Sequence, residues 1–430
     1  VGEGQGPLAG IRVLEIAQAI AVPMCGLILS DMGAEVVKIE PPSGDSYRWA
    51  SGVFFPGESK GFAIFNRGKK SVCLDLKREE SRPIVEALVR QSDIVLVAFK
   101  PPDIVRYRLD YESLRAINER VIVLEHIPLG RNGPYGQQGG YDVVVQGLSG
   151  LGAITAAPGD APRVVQPAYA DHATGFISAL AVVAALRHRD LTGEGQRVET
   201  SLLSTALALG ANLLNWFAAS DVETWAQFDE QIREARNRGA DFAEQQEIYR
   251  RTVLAGSHGN IYFRHYRTRD GFISVGSLTP ALNERFRQVT GLHDPRLDPD
   301  FELGTPEAFQ RLDELVREAE ELFASRTTEE WLEAFREVDV PAAPFHFPPE
   351  AFSEPQILEN DYLVELDHDL LGSYRSFAPP FRMDRTPVAP QSASPVLDAH
   401  TDEVLARAGY TPDELSRLRE AGVIGARLNE

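Results

Sequence analysis

The chain has 430 residues, 43% of them hydrophobic, and carries 63 acidic against 43 basic residues, a formal charge of −20. So acidic a protein is poorly suited to nucleic acid or anionic lipid, which need clustered cations, while its length allows two or three domains with sizeable cores. Cys25 and Cys73 are the only cysteines, so a disulfide framework is not expected and both read as small core residues.

Ile11–Ile16 reads as a first strand, Pro23–Met32 as a helix ended by Gly33, and Glu35–Glu40 as a second strand. The buried run Val36-Val37-Lys38-Ile39 in this β-α-β spacing implies a parallel sheet covered on both faces. The alternation continues with strands at Val72–Leu76, Asp93–Ala98 and Val121–His126 and helices at Arg78–Gln91 and Tyr111–Asn118. Gly130–Gly140 holds five glycines and reads as a loop that something approaches closely.

Asp171 opens an apolar run from Ala173 to Leu186 that ends in Arg187-His188-Arg189, where cations suit the negative end of a helix dipole. The run is too short to cross a bilayer and reads as a buried helix with Asp171 as its N-cap. Backbone donors at a cap keep an Asp ionised, the state that a carboxylate nucleophile needs. Ser201–Ala218 reads as a second long apolar helix, all core, and Asp221–Arg251 as a charged helical arm anchored by Trp225 and Phe228.

Strand patterns flank Arg269-Asp270-Gly271, and helices follow at Thr279–Thr290, Pro306–Ala324 and Thr328–Val338. Val340–Pro344 reads as an extended connector, Asp361–Pro395 as a turn-rich return, and Thr401–Ala408 and Thr411–Ala421 as closing helices. The expected organisation is a large α/β domain with an open, Rossmann-like parallel sheet over 1–205, joined by 395–430. A helical linker at 206–255, a smaller α+β domain at 256–345 and a returning linker at 346–394 complete it.

Several chemistries lack their signatures. There is no G-x-G-x-x-G after the first strand, no Walker pattern, no G-x-S-x-G elbow, and neither H-E-x-x-H nor C-x-x-C among nine scattered histidines and two cysteines. No resident metal or cofactor is expected. Without a run of about 18 apolar residues, a membrane span is not expected either, and the cytoplasm is the expected location.

Long motifs in order carry a resemblance: Pro7–Glu15, Leu29–Pro42 followed by Gly44-Asp45 and Arg48, Asn66–Ser71 with Leu74–Lys77, Gly133-Pro134-Tyr135, Gly140-Tyr141-Asp142, Gln146–Gly150, Val340–Pro344 and His400–Leu405. In these the chain resembles the family III CoA-transferases of the CaiB/BaiF, formyl-CoA:oxalate CoA-transferase type. The resemblance implies transfer of CoA from an acyl-CoA to a carboxylic acid, between two acids or two carboxylates of one. Coenzyme A is then substrate rather than bound cofactor.

It implies that Asp171, followed by Gly193-x-Gly195-Gln196, is the nucleophile, passing through an aspartyl anhydride and an aspartyl-CoA thioester, with Tyr141 and Asp142 beside it. Gln18, Ala19, Ala21, Arg48, Leu74, Lys77, Phe99 and Arg106 stand at CoA-contacting positions, Lys77 and Arg106 pairing with phosphates. It further implies a ring-shaped subunit in an interlocked homodimer. Val22, Ala98 and Lys100 depart from the family pattern, and only Gly256-Ser257-His258-Gly259 stands where a glycine-rich closing loop is expected, so oxalate is not carried over as acceptor. An α-methylacyl-CoA racemase shares the Asp but needs a histidine base where Tyr141 stands, with His126 the nearby candidate. A non-catalytic acyl-CoA-binding protein would have lost the Asp.

Overall fold

The computed structural model describes residues 6–427 apart from 51, 56, 155–158 and 160; residues 1–5 and 428–430, at the outer ends of the expected large domain, lie outside the described residues. Six strands form one sheet: β1 (Arg12–Ile16), β2 (Glu35–Glu40), β3 (Lys69–Cys73), β4 (Ile94–Val97), β5 (Ile122–His126) and β6 (Arg197–Thr200). Their order is β3-β2-β1-β4-β5-β6 and every neighbouring pair is parallel. Because the chain builds outward from β1 one way and then, from β4, the other way, a crevice opens beyond the carboxyl ends of β1 and β4.

Strand alternation divides the core. Leu14, Ile16, Val37, Ile39, Val95 and Val97 face α2 (Ser81–Arg90) and the carboxyl-terminal helices, meeting Ile84, Leu88, Val404 and Leu415. Val13, Val36, Leu96 and Leu124 face α1 (Ala21–Asp31), meeting Leu27, Ala179, Val182 and Leu186. Each such apolar side chain contributes roughly 1.5–3 kcal/mol by leaving water, so both faces of the sheet are anchored.

All eleven residues of α1 are buried, and it ends on Gly33 at φ +98°, a conformation that an L side chain resists. Arg67 binds Asp31 at the end of α1 through Nε and Nη2 (3.1 and 2.6 Å) and donates to Phe377 O. It thereby pins an antiparallel hairpin, Leu363–His368 with Gly372–Phe377, to the large sheet's unit. That hairpin lies in the stretch expected as a turn-rich return, for which no strand is expected.

Other expectations also shift. The third strand is Lys69–Cys73 rather than Val72–Leu76, because Lys69 is buried against an acidic partner and belongs inside the sheet. The helix bearing Asp171, α4 (Tyr169–Thr192), runs 24 residues, so by length and composition it could cross a membrane, contrary to expectation. Nor is it buried all round: Gly175, Ser178 and Val182 face the core while Phe176, Ile177 and Leu180 stay exposed, Leu180 by 70%. The expected helix Ser201–Ala218 breaks at Gly210 into α5 (Leu202–Leu209) and a single turn at Ala211–Leu214, and Leu209, Trp216 and Phe217 are exposed.

The described residues of Val1–Thr155, Arg163–Leu214 and Pro355–Glu430 form one compact unit, and those of Ala156–Pro162 and Asn215–Glu354 a second. The helices Val222–Asn237 and Phe242–Thr252, expected as a separate linker, therefore fall in the second unit. Its three-stranded antiparallel sheet includes Ala342–Pro344, expected only as a connector, and packs on a stacked aromatic core of Phe286, Phe323, Trp331 and Phe335.

At the crossing of α1 and α4, a Cβ on Gly175 would lie 2.5 Å from Met24 Cβ and 2.9 Å from Ala21 O. Gly175→Ala should destabilise the protein by about 1–3 kcal/mol in denaturant melts, since the obstacle includes backbone. Gly147→Ala, where an added Cβ meets open space within a helix, should be neutral or slightly stabilising. Equal stability of the two variants would contradict this packing account.

Candidate active site

The loop after β1 lacks the usual glycines, and its shape comes from charge. Glu15, Lys38 and Lys69 lie on one face of β1, β2 and β3, all fully buried. Lys38 Nζ meets Glu15 Oε1 and Asp45 Oδ2 at 2.9 Å and donates to Ala17 O at 2.7 Å. Lys69 Nζ meets Glu15 Oε2 and Pro23 O at 2.8 Å and Asn66 Oδ1 at 2.9 Å.

Burial works against the charge on Lys38, but Asp45, Glu15 and Glu40 hold its pKa above the ordinary value; Lys69, with burial prevailing over Glu15, falls to about 8. A Cβ on Gly26 would sit 1.9 Å from Glu15 Oε2, so this glycine makes room for the pivot of the network. Asp45 Oδ1 also accepts Ala19 N–H at 3.2 Å, holding Ala19 at a φ of 67°. The sequence motifs held these residues, but not their convergence.

Across the crevice, α3 (Asp142–Ser149) starts directly at Asp142. The Asp142 side chain is buried, and its Oδ2 accepts the N–H groups of Ala170 (2.9 Å) and Asp171 (3.2 Å). Its Oδ1 accepts from Gln146, whose Oε1 takes Val165 N–H at 2.9 Å. The N-cap of α4 is Ala168, which has no capping side chain, so Asp171 lies inside the first turn and is not the cap expected for it. Asp142 does the capping from the amino end of α3.

This arrangement reverses the expected electrostatics. The donors that would have kept Asp171 ionised go to Asp142; burial first, and then the negative charge of Asp142, push the Asp171 carboxyl up to about 7. Asp171 opens on a cavity of about 480 Å³ lined also by Ile20, Tyr47, Lys60, Ile64, Phe65, Tyr141, Val143, Val164 and His172. His172, which the sequence did not single out, donates from Nδ1 to Ala168 O (2.8 Å) and sets its ring edge on Phe65. Tyr141 is highly exposed at the rim. His126 is buried, bonded to Thr200 at 3.2 Å, held by burial at a pKa of about 4, and absent from the cavity lining.

The remaining expected ligand positions separate into two groups. Lys77 and Arg106 line a second cavity of about 440 Å³ with Arg78, Arg82 and Arg108, beside the amino end of α2. Phe99 packs its ring on Tyr107 of the same lining, centroids 5.9 Å apart. Gln18 is exposed in the loop after β1, where its Oε1 accepts Ser46 N–H at 3.3 Å, and Ala21 is the buried first residue of α1.

Arg48 does not fit the ligand-facing role expected of it. It is fully buried, and all five of its N–H donors are engaged by Glu40, Glu58, Gly57 O and Pro395 O, so it is a structural cation. The Leu74 side chain is likewise wholly core, packed with Val423 and Ile424, which leaves only its backbone for any ligand.

Comparison with known proteins places the fold and the family. The chain is 32% identical over 414 residues, 93% of its length and 95% of the relative's, to a succinate–glutarate CoA-transferase of Agrobacterium fabrum. It is 27% identical over 423 residues to the human succinyl-CoA:glutarate CoA-transferase, covering 97% of this chain and 90% of that one. Among solved structures, a CaiB/BaiF family protein from Brucella suis superposes with a TM-score of 0.73 at 26% identity, covering 94% of this chain and all of the other. Rv3272 of Mycobacterium tuberculosis gives 0.72 at 27% identity, over 93% and 99% of the two chains. Residues 8–401 match the family described as CoA-transferase family III, and the chain belongs to that family of enzymes.

Proposed function

We propose that this CoA-transferase works through Asp171 as a covalent nucleophile, moving CoA from an acyl-CoA to a carboxylic acid of the short dicarboxylate class. The observation that carries the reading is the position of Asp171: a carboxylate on a rigid helix, largely out of water, facing a cavity whose walls are mainly apolar. The relatives named for succinate, glutarate, mesaconate and citramalate support the acceptor class.

In the proposed sequence, an Asp171 carboxylate oxygen attacks the thioester carbonyl. The tetrahedral intermediate collapses to a mixed anhydride, expelling CoA as thiolate. The thiolate then attacks the Asp171 carbonyl of the anhydride, the donor acid leaves as carboxylate, and an aspartyl-CoA thioester remains. An acceptor carboxylate attacks that thioester carbonyl and expels CoA thiolate, giving a second mixed anhydride, and the thiolate then attacks its acceptor-side carbonyl. Acyl-CoA leaves and the Asp171 carboxylate is regenerated, with no net gain or loss of protons. Apolar walls protect both acyl intermediates from hydrolysis. Lys77 and Arg106, with the arginines beside them, are proposed to hold the nucleotide phosphates.

The racemase alternative is disfavoured: the position needing a base is Tyr141, and His126 lies outside the cavity. Loss of the catalytic Asp, which a purely binding protein would show, has not happened in this chain. We include in the proposal an interlocked homodimer, supported by the exposed apolar row Phe176, Ile177 and Leu180 on α4. Sedimentation over a thousand-fold dilution should show a dimer throughout, whereas folded monomers in rapid exchange would contradict interlocking.

Asp171→Asn should lower transfer by at least about 10³-fold, as removal of a covalent nucleophile does; retained transfer would refute the assignment. With a folded pKa near 7 against 3.8 for an ordinary Asp, the folded state binds the extra proton, so Asp171 costs stability as pH rises from about 4 through 7. The same Asp171→Asn variant should therefore gain on the order of 4 kcal/mol at pH 8 and almost nothing at pH 4. The wild-type rate of the first acyl transfer from acyl-CoA should rise as pH passes about 7, where the nucleophile becomes ionised; a rate that is flat from pH 5 to 8 would contradict the buried, half-protonated Asp171.

A further inference from the structure

The Asp171 cavity is asymmetric in charge. Two carboxylates, Asp171 and Asp142, face or back it, while its apolar walls of Ile20, Ile64, Phe65 and Val143 offer nothing to an incoming anion. A monocarboxylic acceptor presents one charge, and that charge is the reacting group. A dicarboxylic acceptor brings a second carboxylate that takes no part in the chemistry and is costly to place against apolar side chains without a cation.

Lys60 is the single Lys or Arg in the lining of this cavity among the described residues. It starts the short helix Lys60–Phe65, whose last residues Ile64 and Phe65 belong to the apolar wall, and its backbone N–H is fixed to Gly52 O at 2.9 Å. The side chain is exposed, and none of the ion pairs among the described residues includes it. The buried lysines of the same unit, Lys38 and Lys69, are by contrast each clasped by carboxylates. His172 commits Nδ1 to Ala168 O, which leaves it a single ring nitrogen, Nε2, on a side chain shorter than that of lysine.

We propose that Lys60 is the specificity-determining residue for the acceptor, pairing with the distal carboxylate of a short dicarboxylate whose near carboxylate reacts at Asp171. This rests on the assignment of Asp171 as nucleophile and adds to it which residue reads the far end of the substrate. The long, flexible ammonium stem of lysine tolerates acids of neighbouring chain length, which is the range spanned by the substrates named for the relatives.

The test uses the full-length enzyme with a single acyl-CoA donor and equimolar glutarate and pentanoate together, followed by mass analysis of the CoA thioesters formed. Both acids partition one common aspartyl-CoA thioester, so the product ratio is independent of the donor step and of how much enzyme is folded. Lys60→Met should lower the glutaryl-to-pentanoyl ratio about 10–100-fold, the value of a charge-assisted contact, and Lys60→Arg should restore most of it. A ratio changed by less than about threefold in Lys60→Met, with the Asp171 adduct still forming, overturns the Lys60 assignment alone. Absence of that adduct in the wild type overturns the nucleophile reading and this one with it.

Discussion

The contact on which the site depends is the carboxylate of Asp142 at the amino end of α4. It takes the N–H groups of Ala170 and Asp171, and so supplies the cap that Ala168 cannot. Helix ends buried without such partners are costly. Asp142 thus stabilises the mount of Asp171 and, by occupying the local donors and adding its own charge, works with burial to keep the Asp171 carboxyl near a pKa of 7. One carboxylate is sacrificed to structure so that the other stays reactive. A fully ionised, well-solvated Asp171 would be more stable but a poorer nucleophile, a trade between stability and function familiar at strained sites.

A second constraint shapes the opposite side of the crevice. Where many doubly wound proteins bend the first loop with glycines, this one uses a buried lattice of Glu15, Lys38, Lys69 and Asp45 that ties Ala17, Ala19 and Pro23 to the sheet beneath. Breaking one partner of such a lattice leaves an uncompensated buried charge, so the loop is held more rigidly than its composition suggests. The Arg48 cluster with Glu40 and Glu58 extends the same principle toward Pro395, joining distant parts of the chain into one unit.

Much of the parallel sheet was legible because β1, β2, β4 and β5 are rich in Val, Ile and Leu and bounded by turn residues, and helix ends such as Thr411-Pro412 carry local signals. The carboxylate pair Asp142 and Asp171 was legible from motif context. What could not be seen was long-range. The strand beginning at Lys69 was misplaced because two lysines look like a loop until their acidic partners are known. Asp171 reads as a cap from sequence because the residue that does cap α4 lies 29 positions earlier. Arg48 was expected to face ligand because its motif is shared, whereas only the folded chain shows every donor occupied. The apolar helices were expected to be buried because hydropathy cannot separate a core face from one that is exposed on a single chain, as Leu180 is.

The central claim is that Asp171 becomes covalently acylated, and trapping that species tests it most directly. Wild-type enzyme incubated with acyl-CoA, quenched with hydroxylamine or borohydride, digested and mass-analysed should carry its modification on the peptide at Asp171 and nowhere else. An unmodified Asp171, or exchange of the substrate's α-hydrogen with deuterated solvent without any adduct, would contradict the account and point to proton transfer in place of acyl transfer.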